Sequence, residues 1–140
     1  MNNPLLEIAN ALPAHLDFYH MGHMELRPID FSVEDSQAIA LRIHGDRSAT
    51  VVVLFEQGLD ESMYTEFGNL LGSQVANRLN AENQIDIHIS PPYSISSTRL
   101  KQMIQGVTPI KKTYVHLYKN SVIPIQTLIL PNIGEEIGYA

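Results

Sequence analysis

Ser62, Glu66, Asn69 and Ser73 recur three and four positions apart in the segment DESMYTEFGNLLGSQVANRL, residues 60–79. On a helix, at about 100° per residue, this spacing stacks the four polar side chains within roughly a 60° arc. Met63, Phe67, Leu70, Leu71, Val75 and Leu79 fall on the opposite, wider arc, as expected of a helix lying on a sheet. Glu66 supplies a carboxylate, which accepts hydrogen bonds and pairs with cations. Asn69, one turn away, supplies a carboxamide, which both donates and accepts and stays neutral. Facing solvent together, the two can engage the surface of a partner. A solvated face that happens to hold Glu and Asn would use the same residues. With nine Glu and nine Asn in the chain, on the order of one E-x-x-N match arises by chance. The context of the match must decide.

The elements that position this helix are legible on both sides of it. Ala38 to Ile43 alternates, with Ile39, Leu41 and Ile43 to one side; Gly45-Asp46 supplies a turn, and Ala49 to Phe55 returns as a β-branched run. After the helix, Ile85, Ile87 and Ile89 point one way along Ile85 to Ser90. Pro91-Pro92 ends that pairing, and Tyr93 to Ile95 forms a short extended piece. Residues 98–105 fit a helical turn or a loop. Lys112 to Lys119 alternates Val115 and Leu117 against Tyr114, His116 and Tyr118; Lys119-Asn120-Ser121 turns the chain. Val122 to Leu130 is the last strand, its Pro124 implying an edge or a bulge. Near the N-terminus, residues 4–12 are helical in pattern, with Leu5, Ile8, Ala9 and Leu12 on one face and Pro13 breaking the run or marking a kink. His23 to Phe31 reads as a strand weakened by Pro28, and the tail from Pro131 as loosely held. The sum is an α+β chain: one domain over residues 1–140, a mostly antiparallel sheet with one or two long helices packed on one face. Hairpin-linked strands exclude the βαβα alternation of a nucleotide-binding sheet, and neither G-x-G-x-x-G nor G-x-x-x-x-G-K occurs.

Ser62-x3-Glu66-x2-Asn69, followed by Leu70, Leu71 and Gly72, resembles the [DS]-x3-E-x2-N helix of the CheC/CheX/FliY chemotaxis phosphatases. Asp86-Ile87-His88-Ile89-Ser90-Pro91-Pro92 stands where those proteins have a strand ending in a Ser-x-Pro or Ser-Pro-Pro turn, and Ile39 to Phe55 stands as the preceding hairpin. The resemblance covers roughly residues 36–130 and is specific over 62–92. It implies a CheC/CheX-like fold. It also implies hydrolysis of the aspartyl phosphate of a CheY-like response-regulator receiver domain, in chemotaxis or two-component signalling. By the family pattern Asn69 orients the attacking water and Glu66 pairs with the receiver's active-site lysine, both counted as catalytic; Ser62 supports them locally. No cofactor is expected in this chain itself; Mg²⁺ is expected in the receiver partner. CheC-like members carry two such helices, so Glu7-x2-Asn10 is a candidate second site, with Asn3 where Asp or Ser is usual. Members commonly carry another helix between the hairpin and the motif helix, for which residues 56–61 are too few. A non-catalytic module that binds a receiver or switch component, and a structural dimer with a degenerate site, are the alternatives.

Composition narrows the rest. A chain of 140 residues, 44% hydrophobic and 17% charged, fits one ordinary globular domain. With no cysteine there is no disulfide framework, thiolate nucleophile or thiolate metal site. The net charge of −6 opposes nucleic-acid binding, which needs a basic surface. No apolar run approaches the roughly 18 residues of a membrane helix, and the opening MNNPLLEIANAL lacks a basic n-region, so a cytoplasmic location and no membrane partner are expected. A homodimer is expected through the edge that the last hairpin offers. His20-x2-His23 with Glu25 has the residue types of a zinc site, but Gly22 breaks the helix that would align the rings, and no metal is expected. His88 and His116 alternate against the apolar sides of their strands and read as exposed or interface positions. Ser, His and Asp are present without a G-x-S-x-G elbow, which argues against a triad hydrolase.

Overall fold

The computed structural model describes residues 4–11, 36–56, 61–82, 84–118 and 121–131. Strand β1 (Ser36–Gly45) and strand β2 (Ala49–Glu56) pair antiparallel as a hairpin, with Ile39 opposite Val53 and Leu41 opposite Val51. Beside β1 lie two short strands, β3 (Ile87–Ile89) along its C-terminal part and β4 (Tyr93–Ile95) along its N-terminal part. Beyond β2 come β6 (Ser121–Leu130) and then β5 (Ile110–Tyr118), giving the order β3-β1-β2-β6-β5 in a six-stranded antiparallel sheet. The fold class is α+β, as the alternation of short strands implies.

Every residue from Ala49 to Phe55 is buried, which explains why β2 reads as an unbroken apolar run rather than an alternating one. Both faces of the sheet are covered. One face presents Ile39, Leu41, Ile43, Val51, Val53, Phe55, Ile125 and Ile129 to helices α1 (Pro4–Ala11) and α2 (Glu61–Asn77). The reverse face presents Ala38, Ala40, Val52, Leu54, Leu128 and Leu130, and buries Leu100 of helix α3 (Ser97–Ile104). Residues 98–105, open to two readings in the sequence, are therefore mostly helix. Ser96 caps α3, its Oγ accepting from Arg99 N–H at 3.0 Å, and Leu100, Met103, Ile104 and Val107 follow at helical spacing onto the reverse face. The strand proposed for His23 to Phe31, the metal-type residues His20, His23 and Glu25, and the tail after Pro131 lie outside the described residues.

The long helix sits where the polar file requires, but its buried arc is turned from the expected one. Tyr64, Phe67, Leu71, Val75 and Leu79 are buried, whereas Leu70 is only half-buried. Two aromatic contacts hold the N-terminal half: Phe55 meets Tyr64 with ring centroids 4.9 Å apart and Phe67 edge-on at 5.3 Å. Such pairs add about 0.5–1.5 kcal/mol each beyond simple burial. Gly68 and Gly72 are buried as well, and they set the rotation. A Cβ built on Gly68 would lie 2.8 Å from Ile39 Cδ1 and 2.8 Å from Pro92 Cγ; one on Gly72 would lie 3.3 Å from Ile89 Cγ2. The helix thus leans on its glycine edge against β1 and the turn after β3. A five-residue π-helical turn, Arg78–Glu82, continues α2 and keeps Leu79 in the core.

Substituting Gly68→Ala is expected to destabilise the fold. The ring of Pro92 is fixed in the backbone and cannot move aside, so overpacking of about 1–3 kcal/mol outweighs the roughly 1 kcal/mol of helix propensity gained. Gly72→Ala, with its looser contact, should stay within about 1 kcal/mol of the parent. Urea denaturation of the two variants side by side checks the order.

Candidate functional site

Three residues of the polar file have described side chains on α2. Glu66 is half-buried, Asn69 and Ser73 are exposed, and Ser62 lies in the first turn of the same helix. Among the described residues, no side-chain hydrogen bond or ion pair ties Glu66 or Asn69 to the rest of the fold. Their side chains are one turn apart, about 5–6 Å between Cβ atoms by helix geometry. Carboxylate and carboxamide are therefore both available to a molecule that docks on α2.

Asn69 and Ser73 also border an open groove of about 470 Å³ between α2 and the outer edge of β3. Gly68, Gly72 and Leu41 line its inner side, and His88, Ser90 and Pro91 its far rim. The missing Cβ atoms of the two glycines bring helix and strand close enough to share one concave surface. Glu66 is not part of the groove lining; it stands one turn back toward the N-terminus of α2.

The far rim is built by a bulge. Ile89 opposes Ile43 and Tyr93 opposes Ala40, so Ser90, Pro91 and Pro92 face only Leu41 and Arg42. Neither proline can donate to the ladder. Ser90 alone satisfies both main-chain groups of Arg42 at the bulge: its N–H donates to the Arg42 carbonyl at 2.9 Å, and its Oγ accepts from Arg42 N–H at 2.8 Å. The strand start is fixed similarly. Asn80 Oδ1, just past α2, accepts from Ile87 N–H at 3.0 Å, and Asp46 Oδ2 accepts from Asp86 N–H at 3.0 Å. Gly45, with φ of 114°, passes so near that a Cβ would lie 2.5 Å from the Asp86 carbonyl oxygen. Helix end, hairpin turn and β3 are tied together at one point.

The sequence pointed to the Ser-Pro-Pro turn without a role for Ser90, and to Gly72 without Gly68. The pair of prolines behind Ser90 signals that regular pairing stops there, whereas the acceptor role of its Oγ toward Arg42 N–H has no local signal. His88 is exposed, as its place in the alternation implied. The second E-x-x-N pair has a different setting. Glu7 is half-buried and forms an ion pair with the Arg47 side chain in the β1–β2 turn, while Asn10 is exposed. The Glu7 hydrogen bond raises the pKa of the Arg47 guanidinium, opposed by desolvation and reinforced by the charges of Glu7 and Asp46. Glu7 thus pins α1 to the hairpin. Among the described residues no group of three or more His, Asp or Glu could hold a metal ion, and no helix is long and apolar enough to cross a membrane.

No protein-family model matches the chain, and no curated protein matches it in sequence. Solved structures do resemble it. One belongs to the CheX-CheY-BeF3-Mg²⁺ complex from Borrelia burgdorferi, 14% identical, covering 91% of this chain and 96% of that one with a TM-score of 0.49. Another is chemotaxis protein CheX from Vibrio vulnificus, 15% identical over 91% of this chain and 97% of that one, TM-score 0.45. A CheC-like superfamily protein from Shewanella sp. PV-4 is 12% identical over 92% and 99%, TM-score 0.45. The resemblance is one of fold.

Replacing Ser90 by alanine should leave Arg42 N–H without its acceptor and cost about 1–2 kcal/mol. Hydrogen exchange at the Arg42 amide, together with the urea midpoint, measures it; an unchanged exchange rate would remove Ser90 from the scaffold of the groove.

Proposed function

We propose that this protein accelerates hydrolysis of the aspartyl phosphate of a CheY-like receiver domain. The observation that carries the reading is the pair Glu66 and Asn69, side by side on the outer face of α2, without side-chain partners among the described residues. The family pattern of residues 62–92 supplies the substrate class.

The chemistry asks little of the protein. An acyl phosphate is already activated, and Mg²⁺ held by the receiver neutralises charge on the phosphoryl oxygens. Water attacks phosphorus, the bond between phosphorus and the aspartyl oxygen breaks, and the electron pair leaves with the carboxylate, giving aspartate and inorganic phosphate. What remains is positioning and electrostatics, so no nucleophile is required from this chain. Asn69 can supply both. Its carboxamide oxygen accepts from the water, its NH₂ donates toward the phosphoryl group, and it adds no negative charge beside an anion. Glu66 pairs with a lysine of the receiver and sets the register in which Asn69 enters. Ser62 assists from the preceding turn. The groove beside Asn69 gives the receiver loops that flank the phosphoaspartate a concave surface to rest on.

Mixing the protein with a phosphorylated CheY-like receiver and Mg²⁺, then following phosphoaspartate loss, tests the proposal. Release should exceed the receiver's own rate. Asn69→Ala should lower that acceleration on the order of 10²-fold while leaving receiver affinity nearly unchanged. Glu66→Lys should weaken binding roughly tenfold or more by putting like charges together. Binding without acceleration would leave a receiver-binding module and defeat the catalytic reading; absence of binding to any receiver would defeat both.

A further inference from the structure

The groove beside Asn69 has a direction. Helix and strand pinch together at one end, where Gly68 meets Pro92, and are tied at the other, where Asn80 Oδ1 accepts from Ile87 N–H. Between these points the groove follows α2 from Asn69 past Gly72 to Ala76, with Ile89 and Ile87 on the strand side. Ala76 comes two turns after Asn69, so it lies about 10 Å further along the axis and on nearly the same side. Glu66 lies about 4–5 Å the other way. Asn69 thus stands between a carboxylate and an apolar trough. Leu41 and Ile87 are closed to solvent at its base, whereas Ala76 and Ile89 are only partly buried. Exposed Ser73 adds a neutral hydroxyl to the helix rim.

We propose, resting on the receiver reading of Glu66 and Asn69, that this trough takes one aliphatic or aromatic side chain from the receiver and so selects which receivers are accepted. Asn69 belongs both to the outward file and to the groove edge. A receiver that brings its phosphoaspartate to Asn69 therefore lays the adjoining loop over the trough. A charged side chain there would be stripped of water against Ala76 and Ile89, whereas an apolar one removes apolar surface from both partners. Accepted receivers then carry three features in order along α2: a cation at Glu66, the phosphoaspartate at Asn69, and an apolar side chain about 5–10 Å beyond it.

The experiment follows phosphoaspartate loss from a phosphorylated CheY-like receiver with Mg²⁺, with receiver affinity and oligomeric state measured alongside. Ser73→Tyr covers the trough from an exposed position, and Ala76→Asp charges it; urea midpoints verify folding of both. Each should raise KM and Kd roughly tenfold with kcat unchanged, the opposite split from Asn69→Ala. Alanine at one exposed apolar residue flanking the receiver's phosphoaspartate should raise KM similarly and add little in the Ser73→Tyr background. Lys101→Gln, at an exposed position on α3, should change nothing. Acceleration by the parent with KM and Kd unaltered in folded Ser73→Tyr would overturn the trough assignment and leave the phosphatase reading standing. A parent that binds without accelerating would defeat catalysis alone, and the trough is then judged on Kd. Loss of a parent dimer in both variants, with receiver affinity kept, would assign the trough to a second copy and overturn the proposal.

Discussion

The close approach of Gly68 to Ile39 and Pro92 is the contact on which the rest of the α2 surface depends. Without a Cβ at that position, the helix axis can drop toward β1 and the turn after β3. Phe55, wedged between Tyr64 and Phe67, resists rolling about the helix axis. Height and rotation are then both fixed, and every side chain on the outer file inherits them. Glu66 and Asn69 project outward because the opposite arc is committed to the core. A helix held off by an alanine at position 68 would carry the same sequence motif on a differently placed surface.

The other wall of the groove is secured by hydrogen bonds rather than by packing. An edge strand that ends in two prolines protects the sheet from further pairing, since prolines offer no donors and the bulge turns the backbone away. The same feature would leave Arg42 unsatisfied if Ser90 did not bond it through both main chain and side chain. At the opposite end of β3, Asn80 and Asp46 act from the helix end and the hairpin turn. One wall is thus set by sterics and the other by polar groups with defined geometry. Between them lies a concave surface whose shape does not depend on a flexible loop among the described residues.

Strands β1 and β2 are buried on both faces, which makes them a plate that separates two surfaces of different character. The α2 face exposes neutral and acidic groups, Asn69, Ser73 and the half-buried Glu66. The reverse face gathers two arginines around a small cavity. In a chain of net charge −6 this division follows from strand alternation: Arg42 takes the reverse-facing position between Leu41 and Ile43, which both point to the α2 core.

Much of this was written in the local pattern. The twofold alternation of Ile39, Leu41 and Ile43, the unbroken run from Ala49 to Phe55, and the polar file on residues 62–73 each specify an element and its faces from neighbours within a few positions. The same local rule places Leu100, Met103 and Ile104 on one side of α3, a periodicity masked by the Ser and Thr residues at its start. What only the tertiary structure decided are relations between segments far apart in the chain. Ser90 meets Arg42 across 48 positions, and Glu7 meets Arg47 across 40. Arg42 and Arg99 line one cavity because α3 packs against the reverse face of the sheet beside β4, which pairs with β1. Periodicity reports which way a side chain points along its own element. The distance at which two elements pack, and hence the rotation of α2, depends on side-chain volumes at their contact, and Gly68 takes its meaning only from the proline it touches.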